Sequence, residues 1–286
     1  NDDLKPYIFK TTNYGQTWAP ISSDAPTANV NSIRQDPVNR NLLFAPTEIG
    51  FYVSLNDGQS WSRFMPNLPV GRADEVLVHP REHDLILATH GHSVWIMDDI
   101  TALEQMGATA NQSADATLFK PRDGVLWKSD IAHVSEVPGN KWWAGENAPR
   151  GTAIAYQLKS AAQDVKVTVT DAVTGQAMLT CNGDTKAGLT RFQWAPGGGG
   201  GGGGFGGGNF GGGGAGAAGA PAAPAGPALC GAVPGGGGGR GFGGGGGGRG
   251  GGGGTAGTYR VTLTVNGKDV GSQMFAMLED IWLNAK

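Results

Sequence analysis

Short runs rich in β-branched and other apolar residues recur along the chain and predict β-strands, with apolar and polar residues alternating in the runs beyond residue 151. Before residue 100 these runs lie at 7–10, 50–53, 75–80, 84–89 and 93–99. Beyond residue 151 they lie at 153–158, 164–170, 190–194, 257–265 and 272–278. One helical stretch is predicted at 101–106, with Thr101 as its N-cap. The pattern as a whole therefore predicts an all-β protein.

Two eight-residue motifs follow the first two of these runs and match each other in register. Motif 1 covers residues 11–18 and motif 2 covers residues 54–61, a spacing of 43, and both read S/T-x-N-x-G-x-S/T-W. The asparagine can bond turn amides, the glycine can take a positive φ, and the tryptophan can pack between neighbouring units. A repeat of about 40 to 50 residues containing a hairpin is typical of a four-stranded propeller blade. The structural positions are Thr11, Asn13, Gly15 and Trp18 in motif 1, and Ser54, Asn56, Gly58 and Trp61 in motif 2.

The spacing of the motifs resembles the Asp-box, or BNR, repeat of sialidases and sortilin-like propellers, although both copies carry Asn at the usual Asp position. The segment 89–100, THGHSVWIMDDI, is similar to the closing blade of bacterial secreted propellers described as sortilin-like or glycosyl hydrolase BNR-repeat proteins. The resemblance implies that residues 1–100 form the last two or three blades of an Asp-box β-propeller. A propeller needs at least four blades. The remaining blades are therefore expected from another chain or from an upstream segment.

The same resemblance divides the rest of the chain. Residues 101–150 are expected to be a connector that wraps the propeller, and residues 151–286 an Ig-like or fibronectin III-like β-sandwich. Residues 197–254 form a glycine-rich insertion within that sandwich, either flexible, or an RGG-type nucleic-acid segment, or packed in an assembly. The connector tryptophans are either a sugar-stacking platform or packing between domains, and they are Trp127, Trp142 and Trp143.

Composition and charge narrow the partners. The chain has 286 residues, 52 of them glycine, and a formal net charge of −3, which gives no general attraction to nucleic acid or anionic membrane. No run of about 18 apolar residues is present, so no membrane span is predicted. Cys181 and Cys230 bracket the first part of the insertion and are predicted to form a disulfide, the alternative being two buried thiols. With the resemblance, we expect a secreted, periplasmic or cell-surface bacterial protein.

Three residues are singled out as the lining of a candidate pocket: His90, His92 and Asp98. Residues two apart on a strand point the same way, so the two histidines have the spacing of a shared metal site. A hydrogen-bonded structural role is preferred, and no metal site is predicted. The arginines, tyrosine and acid of a sialidase-type site are not marked by any sequence context, so neither a catalytic residue nor a cofactor is predicted.

The function expected from these observations is non-catalytic. The chain is predicted to be a binding or structural module of an extracellular or periplasmic propeller protein. Its expected partners are a protein or a glycan, or further copies of itself in a homo-oligomer or surface assembly, and not nucleic acid. The alternative is the C-terminal portion of a BNR-type glycoside hydrolase whose catalytic blades lie outside this chain.

Overall fold

The computed structural model describes residues 5–22, 28–64, 67–106, 114–127, 150–197, 229–230 and 255–281. The chain divides into two compact units, unit 1 at Asn1–Ala114 and unit 2 at Asp115–Lys286. The boundary falls within the predicted connector 101–150. Almost all of the glycine-rich insertion 197–254, together with Trp142 and Trp143, lies outside the described residues. The described residues form seventeen strands and one short helix, so the prediction of an all-β protein is confirmed.

Unit 1 contains three antiparallel sheets that follow one another along the chain. Sheet 1 pairs two short strands, β1 (Phe9–Lys10) and β2 (Ala19–Pro20). Sheet 2 has four strands in sequence order, which are β3 (Arg34–Gln35), β4 (Leu43–Thr47), β5 (Gly50–Ser54) and β6 (Ser62–Arg63). Sheet 3 has three, which are β7 (Ala73–Val78), β8 (Leu85–Thr89) and β9 (Val94–Met97).

Both faces of sheet 2 are buried. Successive side chains of a strand point to opposite sides of the sheet, so neighbouring residues of β4 enter different cores. Phe44 on β4 packs toward sheet 3, in a core that includes Val76 and Leu87. Its neighbour Leu43 packs toward sheet 1, in a second core with Ile8 and Trp61. Each fully buried side chain of this size stabilises the fold by about 1.5–3 kcal/mol. The three sheets are therefore held together by two separate layers of apolar contact.

Helix α1 (Thr101–Met106) is the last element of unit 1 among the described residues, and it lies at the predicted position. Its cap differs from the prediction, since Thr101 lies inside the helix. The Thr101 amide donates to Asp99 Oδ1 at 3.2 Å, and its hydroxyl donates to the same oxygen at 2.6 Å. Asp99 takes a positive φ of 58°, a turn conformation that Asp tolerates better than most residues. The capping oxygen therefore belongs to Asp99.

Unit 2 contains two sheets. The three-stranded sheet has the order β10-β12-β15, and its strands are β10 (Ala116–Leu118), β12 (Thr152–Leu158) and β15 (Gly188–Trp194). The five-stranded sheet has the order β11-β17-β16-β13-β14, formed by β11 (Gly124–Leu126), β13 (Val165–Asp171), β14 (Ala177–Asn182), β16 (Gly257–Val265) and β17 (Lys268–Glu279). The pair β11–β17 is parallel.

Both sheets of unit 2 contribute to one core. Trp194 of the three-stranded sheet meets Tyr259 and Phe275 of the five-stranded sheet edge to face, with ring centroids 5.0 Å and 5.5 Å away. Such aromatic pairs add about 0.5–1.5 kcal/mol beyond their buried area. The predicted hairpin turn between β16 and β17 is confirmed, because Asn266 and Gly267 both take positive φ, 50° and 75°.

Candidate functional site

Motifs 1 and 2 fold into the same hydrogen-bonded turn. In motif 1 the Gly15 amide donates to Thr11 Oγ1 and the Thr17 amide donates to Asn13 Oδ1, both at 2.9 Å. The glycine takes a φ of +87°, and the preceding Tyr14 also has a positive φ. In motif 2 the corresponding amides of Gly58 and Ser60 donate at 2.8 Å to Ser54 Oγ and Asn56 Oδ1. Each turn is thus closed by its own two short polar side chains.

The asparagine at the third position of each motif fits this turn. Asn13 Nδ2 donates to Thr17 Oγ1 at 2.9 Å, and Asn56 Nδ2 donates to Ser60 Oγ at 2.8 Å. A carboxylate at the same place would accept from that hydroxyl instead, because a hydroxyl both donates and accepts. Asn and Asp therefore both satisfy the turn, and the difference from the usual Asp leaves its hydrogen bonds intact.

Motif 2 also joins sheet 2 to sheet 1. Trp61 is 7% exposed, and its Nε1–H donates to the Ile21 carbonyl at 2.8 Å. Gly58 faces the same isoleucine, since a Cβ added to the glycine would lie 2.8 Å from Ile21 Cδ1. Lys10 of sheet 1 forms an ion pair with Asp57 of motif 2. Three positions of one motif therefore contact the preceding sheet.

Motif 1 makes no such contact within the described residues. Trp18, which corresponds to Trp61, is 60% exposed, and Tyr14, which corresponds to Asp57, is fully exposed. A Cβ on Gly15 would meet nothing nearer than the Trp18 ring, at 3.8 Å. The two motifs thus share their internal hydrogen bonds and differ in what lies against them.

A group of charged side chains gathers at one edge of sheets 2 and 3, which we call the charged edge. Its members are Glu48, Arg72, Asp74, His90 and His92. Arg72 Nε donates to Asp74 Oδ1 at 2.5 Å, and Arg72 Nη1 lies 3.4 Å from Glu48 Oε1. His90 Nδ1 lies 4.0 Å from Asp74 Oδ2, and the His90 amide donates to the Arg72 carbonyl at 2.9 Å. The β4–β5 turn, the start of β7 and the β8–β9 turn position these groups.

The electrostatics of the charged edge favour a permanently cationic arginine between two carboxylates. The hydrogen bond and charge of Asp74, with the charge of Glu48 adding, raise the pKa of the Arg72 guanidinium. His92 lies beside the backbone, since a Cβ on Gly71 would be 3.1 Å from His92 Cδ2. The edge is open to solvent, with the Arg72 side chain 49% exposed. Such a group can bind a polar or charged partner through exchange of these ion pairs.

The structure separates Asp98 from the two histidines singled out with it. His90 and His92 lie in the β8–β9 turn, beside Thr89. Asp98 follows Met97, which pairs with Leu85 at the far end of the same hairpin. The four-residue strand β9 at about 3.4 Å per residue spans most of the distance between them. His90 and His92 therefore share the charged edge, and Asp98 does not belong to it.

A buried acid that sequence reasoning missed lies at the opposite end of sheet 3. Glu104 of α1 is 8% exposed, and its Oε1 lies 2.8 Å from His83 Nδ1. Burial raises the pKa of the Glu104 carboxyl, and the hydrogen bond to His83 opposes that rise. Asn39 Nδ2 donates to the Glu104 carbonyl at 2.7 Å, which attaches the helix to the β3–β4 turn. No sequence signal distinguishes this glutamate from an exposed one in a short helix.

In unit 2, Cys181 and Cys230 are joined by a disulfide. Cys181 is 2% exposed and belongs to the core, on the edge strand β14. Leu229 forms a parallel bridge with Asn182, whose carbonyl accepts from the Cys230 amide at 2.8 Å. The bond therefore attaches one point of the insertion to the edge of the five-stranded sheet.

No helix among the described residues is long and apolar enough to cross a membrane. In the same residues, no three His, Cys, Asp or Glu side chains come together as a metal site requires. No protein-family model, curated protein or solved structure matches the chain.

Proposed function

We propose that this chain is a non-catalytic binding or structural module formed by the closing blades of an Asp-box β-propeller and an Ig-like or fibronectin III-like sandwich. The observation that carries the proposal is the equivalence of motifs 1 and 2. They make the same side chain-to-amide hydrogen bonds at a spacing of 43 residues. Trp61 of the second copy then packs on the sheet that carries the first. This is the behaviour expected of successive blades.

Unit 2 supports the second half of the proposal. Its two sheets enclose one core, and seven of its eight strands pair antiparallel with a neighbour. Alternation along β13 buries Val165, Val167 and Val169 and exposes the residues between them more. A sheet with one buried face is what a sandwich requires. The disulfide supports an oxidising compartment, so we propose a secreted, periplasmic or cell-surface location.

The charged edge is the surface that we propose for partner binding. Its arginine and carboxylates satisfy one another in the free protein, which keeps them in fixed positions for a glycan or protein partner. Catalysis needs a group that is held ready to transfer a proton or attack. At the charged edge, Arg72 is fully cationic and Asp74 accepts from it. This arrangement favours recognition over hydrolysis.

The competing proposal is the C-terminal portion of a BNR-type glycoside hydrolase. The observation in its favour is that the charged edge collects an arginine, two carboxylates and two imidazoles. The purified chain is incubated with fluorogenic aryl glycosides and sialosides, beside Asp74→Asn and the control Asp269→Asn in unit 2. We expect no turnover above buffer from any of the three. Turnover that Asp74→Asn abolishes and Asp269→Asn retains would refute the non-catalytic proposal.

A further inference from the structure

Four large aromatic side chains lie exposed on sheet 1 and its turn, and we call them the aromatic face. Tyr7, Phe9 and Trp18 are 55%, 52% and 60% exposed, and Tyr14 is fully exposed. The rings of Tyr7 and Phe9 stack with centroids 6.1 Å apart. Ile8, between them, packs toward sheet 2, so alternation along the strand directs Tyr7 and Phe9 to the other side. Exposed apolar clusters of this kind mark interaction sites.

The chain itself shows what such a face binds, because Trp18 and Phe9 both have aromatic counterparts 43 residues later. Trp18 corresponds to Trp61, which is buried against sheet 1 and donates to the Ile21 carbonyl. Phe9 corresponds to Tyr52, which packs in the same core. The chain also returns from each turn to its strand in the same way. The Ile21 amide donates to the Ile8 carbonyl at 2.9 Å, and 43 residues later the Phe64 amide donates to the Phe51 carbonyl at 2.8 Å. The equivalence therefore extends from the motifs to the strands.

We infer that the aromatic face is the binding surface for one further Asp-box repeat, which lies against sheet 1 as sheet 1 lies against sheet 2. The inference rests on the proposed function and adds the partner and the residues that bind it. The occupant is a repeat in register with the existing ones, joined to sheet 1 as sheet 1 is joined to sheet 2. Trp18 Nε1–H donates to a main-chain carbonyl of that repeat, three residues after its motif tryptophan, as Ile21 follows Trp18.

The aromatic face also has a chemical preference, which differs from that of the interface between sheets 1 and 2. Gly58 lies against the Ile21 side chain, so the open space at Gly15 receives an apolar side chain of the same kind. Asp57 binds the cation of Lys10, whereas its counterpart Tyr14 has no negative charge. The residue that precedes the occupant's motif is therefore uncharged, and contacts the Tyr14 ring through apolar atoms. The two interfaces therefore differ. Sheet 1 contacts motif 2 through an ion pair, and the further repeat contacts motif 1 through the Tyr14 ring.

A tandem protein tests the inference. A second copy of residues 5–47, which is one repeat of 43 residues and carries Lys10→Leu so that the residue before its motif is uncharged, is inserted directly before Lys5 of the full chain. Trp18 is then probed by oxidation with N-bromosuccinimide and peptide mass spectrometry, in the parent and in the tandem. We expect the oxidation of Trp18 to slow at least about tenfold, because a side chain with 60% exposure becomes as buried as Trp61. The melting temperature of the tandem protein is expected to be higher than that of the parent.

Substitution of the same tryptophan gives the second measurement. Trp18→Ala is expected to shift the melting temperature of unit 1 by about 2 °C or less in the parent, and by about 10 °C in the tandem. Trp61→Ala is the matched control, with a shift of about 10 °C in both proteins. A tandem that fails to fold, or in which Trp18 stays reactive and dispensable, overturns the inference.

The control also separates this inference from the proposal on which it rests. If Trp61→Ala has no effect in the parent, packing between Asp-box repeats is itself refuted, and the proposed function fails with it. If Trp61→Ala destabilises unit 1 and Trp18 stays exposed in the tandem, only the assignment of the aromatic face as the binding surface of a further repeat is refuted. Protection of Trp18 in the parent by sialyllactose or chitotetraose, without protection in the tandem, would make the face a glycan platform and overturn the inference.

Discussion

Removal of the disulfide gives the prediction with the best-defined magnitude. The bond joins residues 49 apart. Loop-closure entropy assigns to a cross-link of that length about 4 kcal/mol at 25 °C. Cys181 is also buried at 2% exposure, so its truncation to alanine adds about 1 kcal/mol for lost contacts. The double variant Cys181→Ala/Cys230→Ala is therefore expected to destabilise unit 2 by about 5 kcal/mol, and to lower its melting temperature by roughly 10–20 °C.

The assay must report unit 2 alone, because each unit has a core of its own. Hydrogen exchange of the amides in β13 and β16 does so, since both strands lie inside the five-stranded sheet. The exchange free energies are compared between the oxidised chain and the double variant in urea. An equal change in the amides of β4 and β5 would show that the perturbation is not confined to unit 2.

The length dependence of the effect tests its cause. Deleting residues 198–213 shortens the bridged separation to about 33 residues, which reduces the stabilisation by only about 0.4 kcal/mol. Deleting residues 236–251 removes as many residues outside the bridged segment and is the matched control. The entropic reasoning is refuted if the disulfide contributes less than about 1 kcal/mol. A contribution that falls in proportion to loop length would refute it as well.

Three further predictions concern unit 1 and are read from urea unfolding. Gly58→Ala is expected to cost about 2–4 kcal/mol and Gly15→Ala about 1 kcal/mol, because both need positive φ and only the first meets Ile21; equal costs would contradict this. Asn56→Ala is expected to cost about 1–2 kcal/mol and Asn56→Asp less than about 0.5 kcal/mol, since the carboxylate keeps the turn acceptor; a large loss from Asp would contradict it. Burial raises the pKa of Glu104 in the folded state above its pKa in the unfolded state. The stability that this difference contributes is therefore complete below the unfolded-state pKa and is lost as pH rises through the folded-state pKa. Glu104→Gln should flatten that slope and raise stability at pH 7, and an unchanged slope would contradict the assignment.

Local chemistry explains most of what the sequence predicted. The turn motifs, the Asn266-Gly267 hairpin and α1 depend on residues within a few positions of one another. Their outcome is therefore decided by φ preferences and short side chain-to-amide bonds. The prediction of Thr101 as the cap of α1 is wrong, because Asp99 and Thr101 both carry a side-chain oxygen that can cap a helix. Only the hydrogen bond from the Thr101 amide to Asp99 Oδ1 shows which oxygen faces the helix.

Contacts between distant segments could not be predicted in the same way. The parallel pair β11–β17 joins Val125 to Leu278, and no pattern within either strand specifies that partner. The sequence pattern does not predict strand β14, because most of its side chains are at least partly exposed and no alternation marks it. The charged edge brings Glu48 to Arg72 because the β4–β5 turn of sheet 2 meets the start of β7 in sheet 3. That meeting depends on how the sheets stack.

Trp18 and Trp61 show where the limit lies. The two residues are identical in type and motif position, and each motif follows a strand, yet one is 60% exposed and the other 7%. Nothing local distinguishes them, because each turn is closed by its own side chains before any neighbour is met. The difference comes entirely from whether a sheet lies against the motif. In an array of repeats the free energy is a sum of repeat and interface contributions. The same substitution must therefore have different effects at the two positions, and the difference measures one interface.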